Sequence, residues 1–210
     1  MYENTEKTIN NQVSVSGKVA SELEFSHKIF GESFYSFKLN CKRLSGTYDL
    51  IPVIVSERFE VFNELTEGKY VYIEGKFRSY NKHEENQTRL LLHVFPEKIN
   101  LIDENEIEED VNKIIIDGVI CKDVIYRETP LKREIADFLL AVNRPYGKSD
   151  YIPCITWGRN ARWASTFNVS DKVKIKGRIQ SREYIKRISE KTEEVRVAYE
   201  VSCSTIEKVE

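Results

Sequence analysis

The stretch DKVKIKGRIQSREY, residues 171–184, alternates with a period of two: Val173, Ile175, Gly177 and Ile179 fall on one side, and Lys172, Lys174, Lys176, Arg178, Gln180, Arg182 and Tyr184 on the other. Successive side chains of a strand point to opposite faces, so the pattern predicts a strand with one core face and one basic face. A glycine inside such a run marks a bulge or sharp bend. The stretch has a forerunner, KYVYIEGKFRSY at 69–80, where Val71, Ile73, Gly75 and Ser79 stand 102 positions before Val173, Ile175, Gly177 and Ser181.

Upstream, the correspondence continues with a shift of 101. Phe37, Leu39, Asn40, Arg43, Asp49, Ile51, Pro52 and Ile54 stand opposite Phe138, Leu140, Ala141, Arg144, Asp150, Ile152, Pro153 and Ile155, and seven of these eight pairs are identical or both aliphatic. A period of this size is that of a domain, so the chain reads as two copies, each burying its own core. The expected boundaries are 1–102 for the first domain, 103–110 for a linker and 111–210 for the second domain.

In the second copy, strands are predicted at 113–120, 134–143, 151–157, 172–184 and 195–204, with a short helix near 160–167. In the first, they are predicted at 12–20, 33–41, 48–55, 69–80 and 89–101, with a helix near 57–65. Gly17 and Gly118 add further expected bends. Five strands with one helix between the third and fourth describe an all-β fold, a Greek-key barrel of the oligonucleotide/oligosaccharide-binding (OB) type, here in tandem. A sandwich would need about seven strands per copy.

Charge divides unevenly. Residues 1–102 carry 13 basic and 14 acidic residues, 103–110 none and six, and 111–210 carry 19 and 14. The acidic run from Asp103 to Asp110 reads as a solvated linker, since like charges repel and resist packing. The second half is the basic one, and a second reading of the acidic run is that it competes with a polyanion for a basic groove. With 40% hydrophobic and 31% charged residues, and no apolar run near the ~20 residues of a membrane helix, no membrane association is expected. The N-terminus has no basic-then-apolar export pattern, which points to the cytoplasm. Cys41, Cys121, Cys154 and Cys203 form no C-x-x-C pair and read as small core residues.

The run ADFLLAVNRPY (136–146), then DYIPCITWGR (150–159) and DKVKIKGRIQSREY (171–184), resembles the bacterial single-stranded DNA-binding protein family over most of the second copy. The resemblance implies base-stacking platforms at Tyr146, Tyr151, Trp157 and Tyr184. Elementary chemistry agrees, because stacking on an aromatic ring tolerates any base while cations follow the phosphates. Candidate phosphate contacts are Arg144, Lys148, Arg159, Lys172, Lys174, Lys176, Arg178 and Arg182. Lys186 to Glu194 reads as the tip of a hairpin that lengthens the binding surface, and Trp163, on the helix, as a core anchor.

The first copy departs from this pattern, with Leu50 opposite Tyr151 and Ser56 opposite Trp157. Weaker candidates remain there in Arg43, Tyr72, Lys76, Arg78 and Tyr80, so the first copy is expected to bind DNA weakly, by other residues, or to face a partner. The resemblance also implies a homodimer presenting four barrels, and the chain's last residues, Ser204 to Glu210, are not the acidic-tipped partner-recruiting tail usual in the family.

Catalysis is not expected. His27, His83 and His93 have no metal-binding spacing, and no phosphate-binding G-x-x-x-x-G-K-[ST] run occurs. No cofactor is implied. The favoured expectation is sequence-independent protection of single-stranded DNA in replication, recombination or repair. The alternatives are a primosome or phage replication accessory, an RNA binder, and a protein-interaction scaffold.

Overall fold

The computed structural model of the protein describes residues 10–84, 87–103, 109–189 and 192–209. Residues 104–108, within the expected linker, and 190–191, within the expected hairpin tip, lie outside these.

In the first half, β1 (Asn11–Val19) and β2 (Glu24–Ile29) both lie along one edge of β3 (Glu32–Lys42), with Lys18 opposite Asn40 and Glu24 opposite Ser36. They are two segments of one strand, interrupted at 20–23. β3 then pairs with β4 (Tyr48–Ser56), and β4 runs parallel to β6 (Gln87–Leu101), with Val53 opposite Val94. β6 turns back on β5 (Tyr70–Glu84), and β5 returns to β1. The circuit closes a five-stranded OB barrel with no free edge inside it.

The second half repeats the circuit with β7 (Asn112–Ile120), β8 (Ile125–Glu128), β9 (Glu134–Asn143), β10 (Ser149–Trp157), β11 (Lys172–Ser189) and β12 (Thr192–Val209). Its parallel closure sets Cys154 opposite Val201. A short helix, α1 (Arg159–Ala164), precedes β11, burying Ala161 and Ala164. The helix expected near 57–65 is only a single 3-10 turn at Phe62–Glu64. There Phe59, Val61 and Phe62, residues of weak helix propensity, pack on the core where the second copy has alanines.

Both central glycines sit at bulges, where the register shifts between Glu74 and Gly75 and between Lys176 and Gly177. A Cβ on Gly177 would lie 2.2 Å from the Ser202 carbonyl oxygen, and one on Gly75 2.1 Å from that of Phe95. Only a residue without a side chain admits this approach. Past each bulge an asparagine extends the ladder. Asn11 donates to Phe77 O (2.8 Å) and accepts from Phe77 N (3.0 Å), and Asn112 does the same with Ile179 at 2.7 and 2.9 Å.

The barrels are joined through antiparallel pairing of β1 with β7. Val13 lies opposite Ile114, and these are equivalent positions in the two copies, so the join has local two-fold symmetry. The two apolar interiors consequently merge into one contiguous cluster running through Val13, Val15, Ile114 and Ile116. Cys41, Cys154 and Cys203 are buried, Cys121 partly so, and all four are free thiols. Burial pushes the Cys41 thiol up to about 12.

Candidate nucleic-acid interface

Strand β10 divides its side chains as its sequence requires. Asp150, Ile152 and Cys154 are buried, while Tyr151 and Trp157 are 43% and 42% exposed on the opposite face. Six residues of strand separate these two rings by about 20 Å. Tyr146 is fully exposed on the β9–β10 loop and has left-handed backbone angles, φ 64° and ψ 32°. A bulky side chain in that region is uncommon, and such backbone is characteristic of functional loops. Tyr184 is partly exposed on β11, in the hairpin arm that projects beyond its own barrel. Trp163 is not a core anchor. Its ring is 49% exposed and packs edge-on against the buried Phe167 at 5.3 Å, because a one-and-a-half-turn helix turns only its alanines fully inward.

Four of the candidate arginines have another occupation. Asp49 and Asp150 are fully buried, and each is held by arginines from both barrels. Asp150 accepts from Arg144 Nε (2.7 Å) and Nη2, from Arg78 Nη1 (3.0 Å) of the first barrel, and from the backbone N–H of Ser79 (2.5 Å). Asp49 accepts from Arg43 Nε (2.6 Å), from Arg178 Nη1 (3.0 Å) of the second barrel, and from the backbone N–H of Ser181 (2.8 Å). A carboxylate removed from water requires such partners, so Arg43, Arg78, Arg144 and Arg178 first serve the joint between the barrels. Hydrogen bonding to Asp49 raises the Arg43 pKa and burial lowers that of Arg178, yet both remain cations. Gln180, expected on the outward basic face, is instead buried against Glu200 at 2.6 Å.

Among the other cations, Lys174 pairs with Asp117 at 3.7 Å, Arg182 with Glu200 at 3.6 Å and Lys76 with Glu97 at 3.7 Å. The Lys174 and Lys76 pairs are partly solvated and phosphates can displace them at little cost, whereas the Glu200 carboxylate facing the exposed Arg182 is buried. Lys148, Arg159, Lys172 and Lys176 are exposed and make no ion pair among the described residues. Lys148 and Arg159 flank the ends of β10, beside its rings. Lys172, Lys174 and Lys176 lie on β11, which β12 separates from β10, so the lysine row and the aromatic row occupy different faces of one barrel.

In the first barrel, Ser56 is buried and donates to Glu32, and Leu50 is exposed. Tyr80 is 43% exposed, its ring stacked on His93 at 5.4 Å. Burial lowers the His93 pKa to about 4, so the ring is neutral at pH 7. Tyr72 donates to Glu74 at 3.2 Å. The sequence reading passed over Tyr48, which is 53% exposed. It lies two residues before Leu50 on the same strand and hence on the same face, with the buried Asp49 between them. A period-two reading of β4 carried that signal.

Tyr48 and Leu50 belong to an open groove between the barrels. Its floor includes Pro52 and Pro153, equivalent residues of the two copies. One side is lined by the first barrel, including Tyr48 of β4 and Arg89 and His93 of β6, and the other by the β11–β12 arm, including Tyr184 and Tyr199. The arm is tied down by Lys38 Nζ donating to Tyr199 Oη (3.0 Å) and by Leu50 N donating to Ser181 Oγ (3.1 Å). No cluster of three or more metal-ligating side chains occurs among the described residues, and no helix there is long and apolar enough to cross a membrane.

Residues 111–208 match the single-strand binding protein family. Curated relatives include single-stranded DNA-binding protein 1 of Streptococcus pyogenes, 35% identical over 81 residues, an alignment covering 35% of this chain and 62% of that protein. Another is single-stranded DNA-binding protein A of Bacillus subtilis, 33% identical over 81 residues, covering 35% of this chain and 47% of that one. The alignments thus span about half the length of these relatives. The wild-type single-stranded DNA-binding protein of Thermus aquaticus superimposes with a TM-score of 0.76 over 95% of this chain and 93% of that one, at 20% identity, a likeness of fold.

Proposed function

We propose that this chain, whose residues 111–208 match the single-strand binding protein family, coats single-stranded DNA, without enzymatic chemistry and with little regard to base sequence. The observation that carries the reading is the exposure of Tyr151 and Trp157 on one face of β10 while its alternate residues build the core. Each ring stacks with a base, for about 1–3 kcal/mol, and every base has a face to offer. Tyr146 and Tyr184 extend the set. Lys148, Arg159, Lys172 and Lys176 neutralise phosphates, joined by Lys174 and Lys76 as their surface pairs exchange a carboxylate for a phosphate, and by Arg182 through its exposed guanidinium. Arg43, Arg78, Arg144 and Arg178 act indirectly, by fixing the barrels that present the rings.

The binding unit in this reading is two barrels, 1–102 and 111–210, joined by 103–110. The intact particle is a homodimer presenting four barrels, working in the cytoplasm in replication, recombination or repair. Sedimentation equilibrium reads the assembly directly.

Fluorescence titration with a thymidine homopolymer of about 35 nucleotides, at two salt concentrations and beside Trp157→Ala, tests the function. The expected result is strong tryptophan quenching, affinity that falls as salt rises, and a loss of at least ~1 kcal/mol in the variant. Absence of binding at low salt sinks the DNA-coat reading in favour of a protein-interaction scaffold.

A further inference from the structure

We propose that the first barrel contributes a base-stacking platform of its own, Tyr48, in the groove that crosses the approximate two-fold axis between the barrels, and that a single strand of DNA follows this groove from Tyr184 toward the Tyr151 face of β10. The inference rests on the proposed function and extends it to the barrel that lacks the expected rings.

Five observations lead to it. Residue 50, equivalent to Tyr151, is leucine, but the aromatic ring is displaced by two positions on β4 rather than lost. Tyr48 shares Leu50's face, about 7 Å away along the strand, and is 53% exposed. Tyr48 and Tyr184 line the same groove, one from each barrel, so an unstacked strand meets rings on both walls.

Pro52 and Pro153 both line the floor, so the groove passes over the symmetry axis. Pro153 lies two residues beyond Tyr151 on the same face of β10, which joins the groove to the aromatic row of the second barrel.

Tyr48 also lines a second groove, together with Lys18, Lys42, Tyr72 and Lys113. It stands where the two meet, and the second groove carries Glu109 and Asp110 as well as these three lysines.

Charge in the main groove is compatible with phosphates. The groove is lined by three cations and two carboxylates: Lys38 donates to the Tyr199 hydroxyl, Arg89 makes no ion pair among the described residues, Arg196 pairs with Glu194, and Glu183 is the second carboxylate. His93 is neutral at pH 7 and contributes a flat ring without charge.

The joint between the barrels makes the site possible. Asp49, directly between Tyr48 and Leu50, is clamped by Arg178 and by Ser181 N–H of the opposite arm. The clamp holds β4 and the Tyr184-bearing strand at fixed separation, so the walls are in place before a ligand arrives.

The test compares Tyr48→Ala, Tyr48→Phe and Trp157→Ala in the full chain, by fluorescence titration with thymidine homopolymers of about 10 and 35 nucleotides, with ultraviolet crosslinking of the longer one followed by peptide mapping. Tyr48 is half exposed, so Tyr48→Ala folds, which circular dichroism checks. Expected are a loss of about tenfold or more for the 35-mer with Tyr48→Ala, a smaller loss for the 10-mer, retention with Tyr48→Phe, and a crosslinked peptide containing Tyr48 in the wild type. If Trp157→Ala weakens binding while Tyr48→Ala leaves both lengths unchanged and no crosslink maps to β4, the groove is not on the path and the proposed function stands without it. If the wild type binds neither oligonucleotide, the proposed function itself fails.

Discussion

Asp49 is buried in the first barrel, yet its Oδ2 lies 3.0 Å from Nη1 of Arg178 in the second. Asp150 and Arg78 form the reciprocal contact at the same distance. The two contacts are not copies of each other. Arg178 is equivalent to Lys76 and Arg78 to Gln180, so the two halves reached the same solution from different positions. A family of residues that looks DNA-directed in one dimension is therefore, in three, the bolt between two barrels.

Removing one carboxylate should leave two guanidiniums facing each other without an anion. Asp49→Asn and Asp150→Asn are each expected to lower stability by about 3 kcal/mol or more, read as a fall in the urea midpoint at unchanged slope. A loss below about 1 kcal/mol would show that water reaches these pairs.

Arg144 and Arg159 lie at opposite ends of β10, and their substitutions should separate two roles. Arg144→Ala is expected to lower the urea midpoint, because it leaves Asp150 underpaired. Arg159→Ala should leave the midpoint unchanged, weaken oligonucleotide binding and reduce the slope of log K against log salt by about 0.7, the share of one phosphate contact on single-stranded DNA. Equal slopes for Arg159→Ala and wild type would remove Arg159 from the interface.

The bulge at Gly177 should tolerate no side chain. Gly177→Ala sets a Cβ 2.2 Å from a backbone oxygen, and the strand has to shift, at about 2 kcal/mol or more. Gly46→Ala, at a loop position with φ +84° and nothing within 4 Å, tests backbone conformation alone and should cost about 1 kcal/mol. Thermal melts of the two variants compare these costs.

His93 predicts a pH dependence of stability. Its pKa falls from 6.5 in the unfolded chain to about 4 in the folded one, chiefly through burial. The unfolded state therefore binds the proton more readily. The stability contributed by keeping the ring neutral is fully present above pH 6.5 and is lost as pH falls toward 4. It amounts to about 3 kcal/mol. Urea titrations between pH 4 and 7 should show this decline in the wild type and a flatter profile in His93→Phe, which retains the aromatic stack on Tyr80. Parallel profiles would assign the acid sensitivity to the carboxylates instead.

Much of this protein was legible in one dimension because the relevant forces are local and periodic. The alternation of Val173, Ile175 and Ile179 with charged neighbours specified β11, and the glycines at 75 and 177 marked its bulge and that of β5. The repeat between residues such as Asp49 and Asp150 specified two similar barrels, since a chain encoding one core twice buries two. The exposure of Tyr151 and Trp157 followed from their sharing a strand face opposite Ile152 and Cys154.

What the pattern along the chain left open was decided by contacts between residues more than 60 positions apart. Arg178 alternates with core residues as Lys176 does, but only the packing of the second arm across β4 delivers it to Asp49. The same packing buries Asp49 and Asp150 and converts Tyr48, an unremarked strand residue, into one wall of a groove whose other wall is Tyr184. Periodicity states which side of a strand a residue occupies. What that side meets depends on the paths of both barrels, and the two-fold pairing of β1 with β7 brings those paths together.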